Sequence, residues 1–178
     1  MMDIFCEYIV KKKIDIIDIL KLSGIILLAV VLSLLLFFFG TAMFGPGVGF
    51  ALVFAVFYLC FLWGKIIYVE FEYALTNNEL DVDKIIGRSR RKRVITVDFK
   101  TAEICACIND KNYEREYNNT ATIKKIINVT GKSEYDTYFV DFVGETGKMR
   151  VLFQPNDRMR DGLKNINPRT IHIIWLEE

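Results

Sequence analysis

The sequence predicts a two-helix membrane hairpin joined to a mostly-β domain with some helix. Three observations carry that prediction. No charged side chain occurs from Leu22 to Gly64, a run of 43 residues. Glycine and proline interrupt the run near its middle, at Gly40 and at Gly45-Pro46-Gly47-Val48-Gly49. Beyond it, apolar and polar residues alternate in short segments separated by turn residues.

As one helix the charge-free run would be ~65 Å long, at about 1.5 Å per residue. The hydrocarbon core of a bilayer is about 30 Å thick and is crossed by about 20 residues. Two helices, over about 23–40 and 49–67, fit where one does not. Proline lacks an N–H donor and glycine accepts turn dihedrals, so the break belongs at Gly40–Gly49. Gly45 and Gly49 also have the G-x-x-x-G spacing of close helix pairs, but Pro46 inside the motif favours a turn. A soluble helix this long would keep a polar face. A cleaved leader would end after one apolar block, whereas here a second follows.

The flanks set an orientation. Lys11, Lys12, Lys13 and Lys21 precede the first helix and Lys65 follows the second, while the connecting loop has no Lys or Arg. Basic flanks stay in the cytoplasm, so both termini are expected there, in a multi-pass protein of the cell membrane. Cys6, Cys60, Cys105 and Cys107 are then expected as reduced thiols. The sequons at Asn118 and Asn128 are expected to carry no glycan.

The chain divides into residues 1–21, 22–66 and 67–178. In the first part Phe5, Tyr8, Ile9, Ile16, Ile17 and Leu20 recur at three- and four-residue steps among Lys and Asp. That spacing predicts an amphipathic helix, in the headgroup layer or against the cytoplasmic domain. From Ile67 the period changes to two, through Val69, Phe71, Tyr73 and Leu75, so a strand should follow the second membrane helix without a spacer. Asn77-Asn78 predicts a turn, and Leu80–Ile86 a returning strand. Arg93, Ile95, Val97 and Phe99 begin another strand. Ile104–Ala106 fits strand or helix, Lys111–Thr122 reads as a loop with room for a short helix, and Ile123–Val129 as a strand. The clearest hairpin is Tyr135–Val143, a turn at Gly144–Gly147, and the return through Met149, Val151 and Phe153. Pro155-Asn156-Asp157 should start a helix with Met159, Leu163 and Ile166 on one face, ended by Asn167-Pro168. The tail Thr170–Leu176 is apolar and β-branched. The domain is thus about six or seven antiparallel strands and a short helix.

The segment Tyr73-Ala-Leu-Thr-Asn-Asn-Glu-Leu80, then Asp81–Gly87, a basic turn and Val94-Ile-Thr-Val-Asp98, resembles the opening of bacterial PH-like domains that follow a membrane hairpin. The whole chain looks like a member of a small uncharacterised bacterial membrane family of that type. The resemblance covers about residues 66–167. It implies a partly open, bent antiparallel barrel of about seven strands, one end closed by the C-terminal helix. The long polar loop at 109–122 and the apolar tail depart from the pattern. The family suggests no catalytic residues.

The chemistry on offer points the same way. Lys84, Arg88, Arg90, Arg91, Lys92 and Arg93 form a basic turn. Near a bilayer each could contribute about 1 kcal/mol of attraction to anionic lipid; RNA, an acidic protein or plain solvation are the other readings. Residues 65–178 carry 19 basic and 18 acidic side chains, which argues against a general nucleic-acid binder. Cys105-Ala-Cys107 has no second pair nearby and reads as two small buried hydrophobes rather than a metal site. His172, the sole histidine, sits in the apolar tail where a nucleophile could hardly borrow it. The Gly-rich turn lacks the lysine of a phosphate loop. Asp81 with Asp83, and Glu114 with Glu116, lie in polar settings where solvation is the default. Ser23, Ser33 and Thr41 are among the few polar side chains of the membrane run, too few for a pore or proton relay.

The expected function is therefore a non-enzymatic, cofactor-free binding or scaffold protein. It would present a PH-like domain to protein partners or anionic membrane lipid at the cytoplasmic face. An accessory subunit of a membrane enzyme or transporter is the alternative. Self-association stays open on either reading.

Overall fold

One glycine separates the two apolar helices. The computed structural model describes residues 5–144 and 147–173. Helix α1 spans Ile16–Phe44 and helix α2 spans Pro46–Gly64. Gly45 between them has φ 89° and ψ 169°, a conformation open to little but glycine. Pro46 takes the first position of α2, where its missing N–H has no partner to lose. The expected turn over 40–49 thus contracts to Gly45. Thr41 lies within α1, and its hydroxyl is satisfied inside the helix by donating to the carbonyls of Phe37 and Phe38, at 2.7 and 3.0 Å. Both helices are long and apolar enough to cross a membrane.

Small residues line the seam between α1 and α2. Ala29, Ser33 and Gly40 are buried on α1, and Gly49 and Val56 on α2. A Cβ on Gly49 would lie 2.5 Å from Thr41 Cγ2 and 3.0 Å from the Phe37 carbonyl oxygen. One on Gly40 would lie 2.9 Å from Leu52 Cδ1. The two glycines of the G-x-x-x-G spacing therefore divide the work: Gly45 turns the chain and Gly49 lets the helices touch. Gly49→Leu should destabilise the hairpin by about 1–3 kcal/mol, the usual cost of overpacking. Denaturant unfolding of the full chain in detergent measures this, and unchanged stability would contradict the close approach.

The second unit is built from strands and holds a core of its own. The strands are β1 (Phe5–Lys11), β2 (Val69–Thr76), β3 (Glu79–Ile86), β4 (Arg90–Asp98), β5 (Ala102–Cys107), β6 (Lys125–Asn128), β7 (Tyr138–Gly144), β8 (Gly147–Phe153) and β9 (Ile171–His172). They form two sheets, ordered β1-β2-β3-β4 and β6-β8-β7-β5-β9. Helix α3 (Glu114–Asn118) lies between β5 and β6 in sequence, after a 3-10 turn at Lys111–Tyr113. Helix α4 (Asp157–Lys164) follows β8.

Turn chemistry accounts for several connections. Asn77 takes the left-handed conformation at φ 54°, which its short polar side chain tolerates. Asn78 donates its side-chain amide to the Asp98 carboxylate at 2.7 Å, fastening the β2–β3 turn to the end of β4. Asn156 caps α4 by accepting from the Met159 N–H at 2.9 Å. Met159 and Leu163 are then fully buried, while Ile166 is half-buried. Phe153 sits at the centre of the core, its ring 6.3 Å from Tyr73, 6.2 Å from Phe99 and 6.4 Å from Tyr138. The Tyr73 hydroxyl donates to the Val129 carbonyl at 2.7 Å, and burial holds its pKa above the usual phenol value.

Three expectations need correction. The first concerns residues 1–21. Phe5–Lys11 is a strand, paired with β2 from Phe5↔Thr76 to Lys11↔Glu70. Cys6 and Val10 point into the core at 3% and 1% exposure. Ile16, Ile17 and Leu20 belong to the start of α1, where the Asp15 N–H donates to the Asp18 carboxylate at 3.3 Å. The β domain therefore draws on residues 5–11 as well as on those after 67.

The second concerns direction and number. Pairs β6–β8 and β5–β9 are parallel, so the domain is not wholly antiparallel. Among the described residues nine strands replace the expected six or seven, and they divide into two sheets rather than one partly open barrel. Both parallel strands lie at the ends of the five-stranded sheet, so seven strands remain without them. The third is the start of β2, which follows a 3-10 turn at Lys65–Ile67 rather than α2 itself. Glu145, Thr146 and the tail beyond Ile173 lie outside the described residues.

Candidate functional site

The β3–β4 hairpin carries all six basic residues singled out in the sequence. Lys84 is half-buried on β3. Gly87 and Arg88 make the turn, with φ 60° and 59°, and the Ser89 N–H returns to the Ile86 carbonyl at 3.3 Å. Two successive positive φ angles are the mark of a type I′ turn. Arg88 is neither glycine nor a short polar residue, so its left-handed backbone is strained. Arg90, Arg91, Lys92 and Arg93 are all exposed on β4, an edge strand of its sheet.

Cross-strand partners split the cluster in two. Arg91 pairs with Glu72 at 2.9 Å. Arg93 reaches Asp81 and Asp83, both at 2.5 Å, and donates to the Thr96 hydroxyl at 3.1 Å. Thr96 in turn donates to Asp81 at 2.6 Å. The hydrogen bond to Asp83, with both carboxylates nearby, raises the Arg93 pKa further still. Asp81 and Asp83 are thus committed to an arginine, not merely solvated as the sequence suggested. The Arg93 pairs, open to solvent, stabilise by only about 0–1 kcal/mol each; Glu72 is buried, so Arg91 compensates a desolvated carboxylate, and both sets cancel charge locally. Lys84, Arg88, Arg90 and Lys92 have no acidic partner among the described residues. A row of cations along an edge strand also discourages pairing with another sheet edge.

The other candidates settle into structural roles. Cys105 and Cys107 are both buried on β5, and burial raises both thiol pKa values, which keeps them protonated and unreactive. Among the described residues no three metal-ligating side chains come together. His172 on β9 stacks its ring on Tyr113, with centroids 4.4 Å apart and planes 18° from parallel. Glu114 and Glu116 lie exposed on α3. Ser23 and Ser33 each donate to a carbonyl one turn back in α1.

A buried arginine was missed. Arg150 on β8 is 1% exposed and Asp141 on β7 is 3% exposed. Two hydrogen bonds join them, at 2.6 and 2.8 Å, in the forked geometry that matches guanidinium to carboxylate. Two further bonds go to α3: Arg150 donates to the Glu116 carbonyl at 2.8 Å and to the Tyr117 carbonyl. The guanidinium also lies 4.7 Å from the Phe139 ring centroid and 5.5 Å from that of Tyr117. This one side chain fastens the polar excursion between β5 and β6 onto the sheet. The signal was available: with a turn at 144–147, residue 141 falls opposite residue 150, each the charged member of an apolar run.

Comparison with known proteins finds one family. The model of a family described as bacterial PH-like domain (DUF6106) matches residues 2–173. No curated protein and no solved structure matches.

Proposed function

This chain belongs to the bacterial PH-like domain family (DUF6106), and on that premise we propose that it is a membrane-anchored binding module. Its β domain would engage anionic lipid headgroups, or the acidic surface of a protein partner, at the cytoplasmic face of the cell membrane. The hairpin α1–α2 would be the anchor. The observation that carries the reading is the part of the basic cluster without acidic partners, four of its six residues. Lys84, Arg88, Arg90 and Lys92 keep their charge uncancelled on one β-hairpin, and Arg88 does so in a strained backbone.

Two further features support it. Lys11 and Glu70 are register partners, so the helical hairpin leaves from and returns to one pair of neighbouring strands. Both of its ends are then on the same side of any membrane it crosses, as the basic flanks require. The seven strands β1–β5, β7 and β8, followed by α4, also suit the partly open barrel expected of a PH-like domain, with β6 and β9 as edge additions. PH-like domains are generally binding modules, and a non-catalytic role is the natural one here.

The test uses a soluble form in which a short turn replaces residues 14–68. Neutralising Arg88, Arg90 and Lys92 together should weaken its binding to anionic vesicles at low salt by about 100-fold, taking about 1 kcal/mol per charge. Neutralising Arg91 and Arg93 should cost far less, because carboxylates already match them. No vesicle binding by the unsubstituted domain would sink the lipid reading. Stoichiometric co-purification of the full chain with a polytopic enzyme would instead favour the accessory-subunit role.

A further inference from the structure

An apolar crevice of about 400 Å³ opens between α1 and α2 at the end remote from Gly45. Lys21, Gly24 and Leu28 line one wall, and Trp63 and Ile67 the other. The spacing of the first three puts them on one stripe of α1. The helices touch at one end and part at the other. At Gly49 an added Cβ would collide, whereas at Gly24 it would meet nothing within 4 Å. Gly24 is therefore not needed for close packing, and its missing side chain leaves the crevice open.

An apolar gap of this size does not stay empty. A void forfeits the dispersion contacts of its walls, and water would find almost no polar partner there. Lys21 is the one charged residue of the lining, and it has no ion-pair partner among the described residues. A lysine at a helix end extends its amine toward the headgroup layer while its stem stays in apolar surroundings.

We infer that the crevice holds an acyl chain of an anionic phospholipid, with the headgroup phosphate paired to Lys21. The inference rests on the reading of α1–α2 as a membrane anchor. It gives the hairpin a specific lipid, beyond general contact with the bilayer.

Trp63 in the wall is a built-in reporter. Trp175→Phe leaves it as the only tryptophan of the full chain. That chain is placed in phosphatidylcholine nanodiscs holding a few mole per cent of phosphatidylglycerol brominated along its acyl chains. Trp63 quenching should exceed, several-fold, that from brominated phosphatidylcholine at the same fraction. Gly24→Phe, which fills the crevice, should remove the excess. Lys21→Gln should remove the difference between headgroups and, being exposed, should not disturb folding. Equal quenching by the two lipids in the unsubstituted chain would overturn the inference while leaving the anchor intact. No quenching by either would overturn both. A lipid-independent dimer that shields Trp63 would overturn the lipid as occupant.

Discussion

Deleting residues 1–13 should unfold the β domain, whereas replacing residues 14–68 with a short turn should leave it folded and soluble. β1 is the reason for both results. Cys6 and Val10 are almost completely buried, and Tyr8 packs its ring 6.3 Å from Tyr73 and 5.8 Å from Tyr135. Burial of a medium apolar side chain is worth about 1.5–3 kcal/mol, so losing two, with the tyrosine contacts besides, removes about 3–6 kcal/mol. Whole domains are stable by only about 5–15 kcal/mol. Removing β1 also uncovers the backbone donors and acceptors of β2 along its whole length. By contrast, Lys11 and Glu70 already stand opposite each other in register, so a few residues can bridge them. Circular dichroism and thermal melting of the two forms decide the matter. A cooperative melt from the 1–13 deletion would show that β1 is dispensable.

Arg150→Ala should cost about 3–5 kcal/mol, among the largest effects of any single substitution in the β domain. It strands the Asp141 carboxylate at 3% exposure without its partner and releases two α3 carbonyls. The paired change Asp141→Leu with Arg150→Met should be much milder, because no charge is left uncompensated. Two readouts separate the consequences. The melting temperature reports the buried charge, and protease cleavage within 109–122 reports the loss of the α3 fastening. In the double variant stability should largely return while cleavage persists. If cleavage also disappears, contacts other than Arg150 hold that segment.

Local chemistry was legible wherever a residue acts on its own neighbours. Asn77-Asn78 announced a turn and Asn156 a helix cap, because each bonds or bends the backbone within three residues. The apolar helices were legible from the absence of charge. What was misread depends on distant partners. In β1, Cys6, Tyr8 and Val10 alternate as a strand should, but Phe5 and Ile9 are apolar and face outward at 56% and 48% exposure. With both faces apolar the period of two is hidden, and the partner strand lies beyond the whole hairpin. Ile123–Val129 is legible as a strand, and β6 lies within it, but the parallel pairing of β6 and of β9 is not, because each is short and borrows its neighbours from elsewhere.

The basic cluster shows the same limit. Composition found all six residues, yet it could not tell that Arg91 and Arg93 are matched by Glu72, Asp81 and Asp83 across the sheet. The part of the cluster able to meet a partner is smaller than it looks in the sequence, and it is centred on Arg88, Arg90 and Lys92. Arg150 is the converse case. It reads as one more charge in a charged domain, and only the pairing of β7 with β8 shows it to be a core residue.

On our proposal a membrane hairpin is inserted between two neighbouring strands of one cytoplasmic PH-like domain. Labelling of single added cysteines in intact cells with a membrane-impermeant maleimide tests it most directly. Lys13→Cys and Lys132→Cys sit on exposed residues of the β domain, and Gly47→Cys sits just past the Gly45 turn with open space around it. The expected result is labelling at position 47 in intact cells, and at positions 13 and 132 only after the membrane is permeabilised. Labelling of 13 and 132 from opposite sides would contradict the shared sheet, and protection of position 47 in intact cells would contradict the two-pass anchor.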